Sequence, residues 1–510
     1  MGDISEPPVA DGNGASLTEG VAGASTLKRD SLSMPEVLAQ SVANAAPSAA
    51  MALLPLLVFL AAGNGTWLSF VVTLLIMLCV AYCAVQFARY MTSAGSFYVW
   101  VSRVLGPAAG HTAGWGLVFG YVCIGILTFL GFGIFGGDFL DRLGLPGSSI
   151  PVQLVLYAAS FVIATAMALW GVQLATRAAL LLEGISIAAI LIVCVAIWVR
   201  HGNVIDLQQL TLAHSGTGGI IVGVVLGILA FTGFESAGSL GMEARNPYKT
   251  VGRAIMWSAI IVGVFYIVVS YSQVYGFQGT QPGFAKSQAP LPDLAKIVGL
   301  SFFSYIIDLG ICCSMLACTL ACINASARIA FAAAHDGLLV PAFARSHARR
   351  KTPYAGILAA ALLMVLPSTA LLVAYRDPVS AVNWVAPLAA FGCMVGYALI
   401  SIAAPIFMQR LGRFWVPSAA FGGIGLIAVV IVFYANWLPQ TIPGGLFPAL
   451  TLPYTILPYV LFGWIALGLL DYYRLWRKDR EAARLVGTRF ESSDAPDNAP
   501  PLTATSPALD

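Results

Sequence analysis

Runs of roughly 20 mostly apolar residues recur along this chain, separated by short stretches that carry most of its charge. A helix of that length crosses the hydrocarbon of a bilayer, and its backbone donors find their acceptors within the segment. Twelve spans are predicted, at 36–60, 67–91, 107–137, 150–172, 178–199, 219–242, 252–276, 298–333, 354–374, 381–408, 415–436 and 453–474. The third and eighth are longer than a bilayer requires. Only 10% of the 510 residues are charged and 59% are hydrophobic, whereas a soluble domain has about 25% charged residues. A water-soluble globule is excluded. The predicted fold class is an all-α polytopic membrane protein.

Lys and Arg fall unevenly between the loops. With the N-terminus inside, roughly 20 of them lie on the inner side and about 5 outside. The inner set includes Lys28, Arg29, Arg89, Arg103, Arg177, Arg245, Lys249, Arg253, Arg345, Arg349, Arg350 and Lys351. The outer set is Arg142, Arg200, Lys286, Lys296 and Arg376. Both termini are thus expected in the cytoplasm and the chain in the cell membrane. Residues 1–34 are polar and lack the short apolar core of a secretory signal. They are expected to be unstructured, as is the polar tail 476–510, which ends in a Pro-rich stretch. All nine cysteines fall inside predicted spans. Cys318 and Cys322 share a helix face, but no His or second thiol pair completes a metal site, so neither metal nor cofactor is expected.

Two spans are interrupted. The first, VLAQSVANAAPSAAMALLPLLVFL, carries Pro47 about a dozen residues in, flanked by Ala and Ser. Proline removes a backbone donor and clashes with the preceding turn, so the helix is predicted to break there. The sixth, five spans later and opposite in direction, loosens at Thr232–Gly238 in the stretch ILAFTGFESAGSLGMEARNP. Irregular backbone at membrane depth survives only where protein or a water-filled cavity satisfies it. Either interruption alone could serve close helix packing. The two at matching positions point to inverted repeats around a transport site. The predicted transporter domain is 35–475, with repeat one at 36–199, repeat two at 219–408 and extra helices at 415–474.

Two motifs carry a family resemblance. AFTGFESAGSLGMEARNPYKTVGRAI (230–255) resembles the sixth helix and following loop of the amino acid–polyamine–organocation (APC) permeases. NASARIAFAAAHDGLLVPAFARSHARRKTP (324–353) is similar to the end of their eighth helix, and Ala94-Gly95-Ser96 with Tyr98 is a weaker match. The resemblance spans about 34–475 and implies a LeuT-like 5+5 inverted repeat plus two C-terminal helices. It also implies alternating access for an amino acid or organic amine. The sequence departs from the family in two places. The first break is AAPSAA rather than a glycine-rich run, and no predicted span carries the lysine that some proton-coupled relatives place in helix five.

The polar groups can then be assigned expected roles. The second half of the first span, from Pro47–Ser48, should present free N–H groups to a substrate carboxylate. Carbonyls near Ala43–Ala45 and Phe231–Gly233 should suit an ammonium group. The expected substrate-binding residues are Ala45, Ala46, Ser48, Ala49, Phe231, Thr232, Gly233, Phe234 and Ser236. Glu235 is the expected proton-coupling or gating residue, because a carboxylate at bilayer depth must be paired, protonated or wet; its bland alternative is a hinge that holds loose backbone. Tyr121, Asp308 and Trp384 are secondary candidates, and Phe231 is a candidate aromatic lid over an ammonium. Glu183 is expected to pair with Arg177 or reach the interface, His111 to be exposed, and Arg328 to snorkel or meet a carboxylate.

The function expected is secondary active transport, proton-coupled or exchanging, with H+ as the coupling ion. No ATP-binding stretch of the GxxxxGK[ST] kind is present, and no nucleic-acid partner is expected. A polyamine or organocation exchanger is the alternative within this fold. A transporter-like membrane sensor or a membrane enzyme is the alternative outside it, and the dispersed charges argue against an enzyme.

Overall fold

A computed structural model describes residues 32–91, 95–170, 173–241, 243–281, 283–287, 289–347, 350, 352–437 and 454–487. Side chains of 173–180 are outside this description, so the predicted Glu183–Arg177 pair can be judged only from the glutamate. Residues 1–31 and 488–510, Ala94, Arg349 and Lys351 also lie outside it.

The chain is helical throughout the described residues, with one isolated parallel bridge between Leu32 and Ala244. The first span is two helices, α1 (Met34–Ala45) and α2 (Pro47–Ala62). Then follow α3 (Thr66–Ala88), α4 (Phe97–Leu105), α5 (Pro107–Arg142), α6 (Ile150–Trp170), α7 (Gln173–His201) and the short α8 (Leu207–Leu210). The sixth span is α9 (Thr217–Phe231) continued by a tighter 3-10 segment, Phe234–Leu240. The remainder is α10 (Pro247–Gly276), α11 (Pro290–Ile297), α12 (Ser301–His335), α13 (Tyr354–Tyr375), α14 (Pro378–Arg410), α15 (Val416–Trp437), α16 (Leu457–Lys478) and α17 (Arg480–Arg484). A helix therefore stands at every one of the twelve predicted spans. Among the described residues, ten stretches are long and apolar enough to cross a membrane; the first, Met34–Ala88, contains both the first and second spans. The twelfth, α16, falls short of that apolarity.

Burial separates central helices from peripheral ones. The most apolar window of α5 is 89% buried and that of α12 is 78% buried, whereas that of α15 is only 28% buried. Helices α5 and α12 therefore form the centre. The outer helices turn Val155, Val162, Leu181, Val199, Leu366 and Ile427 outward, as lipid rather than water would favour. Helices α5 and α14 meet on small residues: a Cβ on Gly120 would lie 2.4 Å from Cys393 Sγ, and one on Gly392 2.5 Å from Gly120 N. Side chains there would force the backbones apart.

The face carrying the start of α1 is laced together by loops. The Leu32 N–H donates to Glu243 O (3.0 Å) and the Arg245 N–H to Leu32 O (2.8 Å). Arg328 pairs with Glu243 at 3.0 Å, the carboxylate partner its sequence position allowed. Asp336 accepts from the Tyr98 hydroxyl and from the Gly487 N–H (2.8 Å). Order thus runs past the expected boundary at 475, because Val486 and Ala483 are fully buried against the bundle. His111 corrects another expectation. It is buried beside Trp115, with Nε2 3.0 Å from Gly468 O, because α16 covers this end of α5.

Candidate functional site

The first break is sharp. The Ala46 N–H still donates to Val42 O and Ala43 O, ending α1, while Ala46 itself adopts a left-handed conformation (φ 45°, ψ 60°). Pro47 then starts α2, where its missing donor costs nothing. The first free N–H of α2, that of Ser48, donates to Glu183 Oε1 at 3.0 Å. The next, that of Ala49, reaches Ser314 Oγ at 3.4 Å. Glu183 is buried; it does not reach an interface but caps a helix, because α7 delivers it directly to the break.

The second break falls at Thr232 and Gly233. Gly233 has φ +108°, and a Cβ there would lie 2.7 Å from the Asn44 carbonyl carbon and 2.8 Å from its carbonyl oxygen. Only glycine allows the two broken helices to touch here. Glu235, on the tight segment that follows, is fully buried. Its Oε1 accepts from the Tyr121 hydroxyl (2.7 Å), and its Oε2 from the Tyr397 hydroxyl (3.0 Å) and the Gly233 N–H (3.0 Å). Three neutral donors from α5, α14 and the break itself thus replace water around the carboxylate.

The carbonyl ends are also partnered. The Tyr266 hydroxyl of α10 lies 3.0 Å from Ala45 O and 2.7 Å from Ala230 O, so one donor serves both broken helices. Cys318 Sγ donates to Asn44 O (3.3 Å), and Asn44 Nδ2 reaches Gly233 O (3.5 Å). Between the breaks, α5 and α12 border a partly open cavity of about 60 Å³. Its wall is Asn44, Ala45, Ala46, Ala49, Ala50, Leu53 and Leu54 of the first span, with Ile124, Leu127 and Thr128 of α5. Leu229, Ala230 and Thr232, with Met315 and Cys318 of α12, complete it. Among the described residues, no charged side chain is in the wall.

Of the residues expected at the site, Ala45, Ala46, Ala49 and Thr232 line this cavity. Ser48 is not in its wall, and its N–H is held by Glu183. Gly233, Glu235 and Tyr121 are not in its wall and are bonded to one another through the Glu235 carboxylate. Phe231 is buried edge-on against Tyr266 (5.2 Å), and Phe234 packs against Tyr397 (5.8 Å), so both rings face protein rather than the cavity. Ser236 donates its N–H to Gly233 O (3.0 Å) and shapes the tight segment. Asp308 and Trp384 are not brought here. Asp308 Oδ2 lies 2.9 Å from Arg142 Nε, pairing the far ends of α5 and α12, and Trp384 packs against Tyr375.

Sequence reasoning passed over Asn44, Glu183 as a cap, Tyr266 and Tyr397. A signal existed for the tyrosines: each lies mid-helix in an apolar run, where a buried hydroxyl requires a partner. For Asn44 and Glu183 the partner is settled only by which helices meet.

Comparison with known proteins agrees with this architecture. The family model described as "Amino acid permease" matches residues 36–481. A branched-chain amino acid permease of Bacillus subtilis is 25% identical over 368 residues, 68% of this chain and 75% of the relative. A methylthioribose transporter of the same organism is 26% identical over 438 residues, 82% of this chain and 87% of its own. Cationic amino acid transporter 4 of Mus musculus is 26% identical over 324 residues, 60% of this chain and 49% of its own. With a helix at each of the twelve predicted spans, two broken spans facing one cavity and a family match over nearly all of the described residues, this transporter belongs to the amino acid permease family.

Proposed function

We propose that this permease carries neutral aliphatic amino acids across the cell membrane by alternating access around its two breaks, with a proton as coupling ion. The cavity wall carries the reading. It is built from Ala, Leu, Ile and Met with a few hydroxyl, amide and thiol groups, and without a charged side chain among the described residues. A lysine, arginine or polyamine chain would need an acidic partner there, so the organocation exchanger is the weaker alternative. The branched-chain permease among the relatives supports the same class.

In this reading the walls at Ala45, Ala46, Ala49 and Thr232 contact the side chain and backbone of the substrate. The Ser48 and Ala49 N–H groups offer the carboxylate seat. Carbonyls at Ala45 and Phe231–Gly233 offer the ammonium seat once Tyr266 and its neighbours give way. Glu235 acts as a gate, tying the second break to α5 and α14 so that the tight segment moves with them. The laced face is cytoplasmic, as the Lys and Arg bias requires, and both termini lie on that side.

The test uses purified protein in liposomes with labelled leucine, arginine and putrescine, with and without a pH gradient. Saturable leucine uptake is expected, driven by the gradient and competed by valine and isoleucine but not by arginine. Uptake of arginine or putrescine without leucine would overturn the substrate class. Leucine uptake indifferent to the gradient would overturn proton coupling.

A further inference from the structure

Glu183 holds the place the substrate carboxylate is expected to take. It is 3% exposed, on a helix whose other described buried side chains are apolar apart from Ser186. Oε1 accepts from the Ser48 N–H, and Oε2 makes no hydrogen bond among the described residues. The Ser314 and Ser48 hydroxyls stand beside the carboxylate as further donors, and Ser314 Oγ also accepts from the Ala49 N–H. Pro47 has no N–H, and the Ala50 N–H is already committed to Ala46 O. The two donors that make the start of α2 a carboxylate seat are therefore engaged from α7 and α12. A protein carboxylate sits on the positive end of the helix.

The surroundings offer this carboxylate no described cation. The titratable groups that act on it electrostatically are Tyr266 of α10 and Cys313 of α12. Helix α2 contributes none, and α1 only Glu36 at its opposite end. Asp293 and Lys296 of α11 interact with Asp308 instead. Glu235 differs, since donors already engage both of its oxygens.

We propose that Glu183 is an internal stand-in for the substrate carboxylate and the proton acceptor of transport, a reading that rests on the amino acid transport function above. Two carboxylates at one helix N-terminus repel, so an arriving amino acid favours protonation of Glu183. The proton comes from the aqueous side then open to the cavity and forms an O–H bond at the free Oε2. It returns to water when the amino acid leaves. No bond of the substrate changes, and one charge enters with each zwitterion.

The test is leucine binding to the purified full-length protein as a function of pH, with proton uptake recorded in weak buffer. In the wild type, affinity should rise about tenfold per unit fall in pH while Glu183 is ionised, with about one proton taken up per leucine. Glu183→Gln should bind leucine without pH dependence or proton uptake. It should also lose gradient-driven accumulation, while exchange continues more slowly. Glu183→Asp should restore the pH slope. A full slope in Glu183→Gln overturns the proposal. If that variant does not fold, the infrared band of the carboxyl that leucine protonates decides: it must move in Glu183→Asp, and an unmoved band overturns the assignment. Leucine binding that is independent of pH in the wild type defeats the Glu183 assignment alone, whereas no binding of any aliphatic amino acid defeats the transport reading beneath it.

Discussion

The two broken spans reach the same cavity by different chemistry. At the first, an alanine takes the left-handed turn, and the carboxylate that meets the exposed helix end comes from α7, 135 residues away in sequence. At the second, glycine takes the turn, and the carboxylate is on the very segment that breaks, two residues on. The first break borrows its cap; the second carries its own. A borrowed cap ties the break to the movement of another helix, and its carboxylate keeps one oxygen free. An internal cap with three donors fixes a local shape. The comparison separates a group suited to exchange its partner from one suited to hold it.

The largest expected effect comes from Gly233→Ala, which puts a methyl into the Asn44 backbone and forces a left-handed conformation on alanine. We expect a loss of roughly 3–5 kcal/mol from clash and strain together, seen as lost transport and a lowered melting temperature in detergent. Next is Glu235→Ala. It strands the Tyr121 and Tyr397 hydroxyls and the Gly233 N–H, at about 3 kcal/mol, and should abolish transport; Glu235→Gln should keep much of the stability. Tyr266→Phe removes the hydroxyl shared by the two breaks. Thermal unfolding should report about 1 kcal/mol, and leucine exchange should change rate with the fold intact. Smallest is Ala46→Gly, where relief of the left-handed alanine and the added freedom of the unfolded chain oppose each other, leaving a change within roughly 1 kcal/mol. A large loss at Ala46→Gly together with a mild one at Gly233→Ala would reverse the distinction between the breaks.

The positions of both breaks were legible in the sequence because their causes are local. Pro47 cannot donate and Gly233 alone tolerates its backbone, and each acts within a few residues. Glu235 was legible as a residue of consequence because a carboxylate in an apolar span demands an explanation. Its partners were not: Tyr121 was a candidate for the site and Tyr397 carried the signal of a mid-helix hydroxyl, but that both meet Glu235 is settled only by which helix faces pack together. Asp308 shows the opposite failure. It carries the same signal as Glu235, yet Arg142 at the end of α5 meets it, and the pair stands apart from the cavity.

What the sequence determined by itself was the solvent, the places of the twelve long apolar spans, and where two of them must break. These follow from hydropathy, from helix rise against bilayer thickness, and from the backbone limits of proline and glycine. The family followed from two motifs that lie at those breaks and loops. Only the tertiary structure decided that Glu183 caps α2, that Tyr266 joins the two spans, and that the cavity wall is uncharged. Each depends on which faces of packed helices meet. A helix that is apolar all round gives almost no record of its neighbours, because lipid and protein favour the same residues.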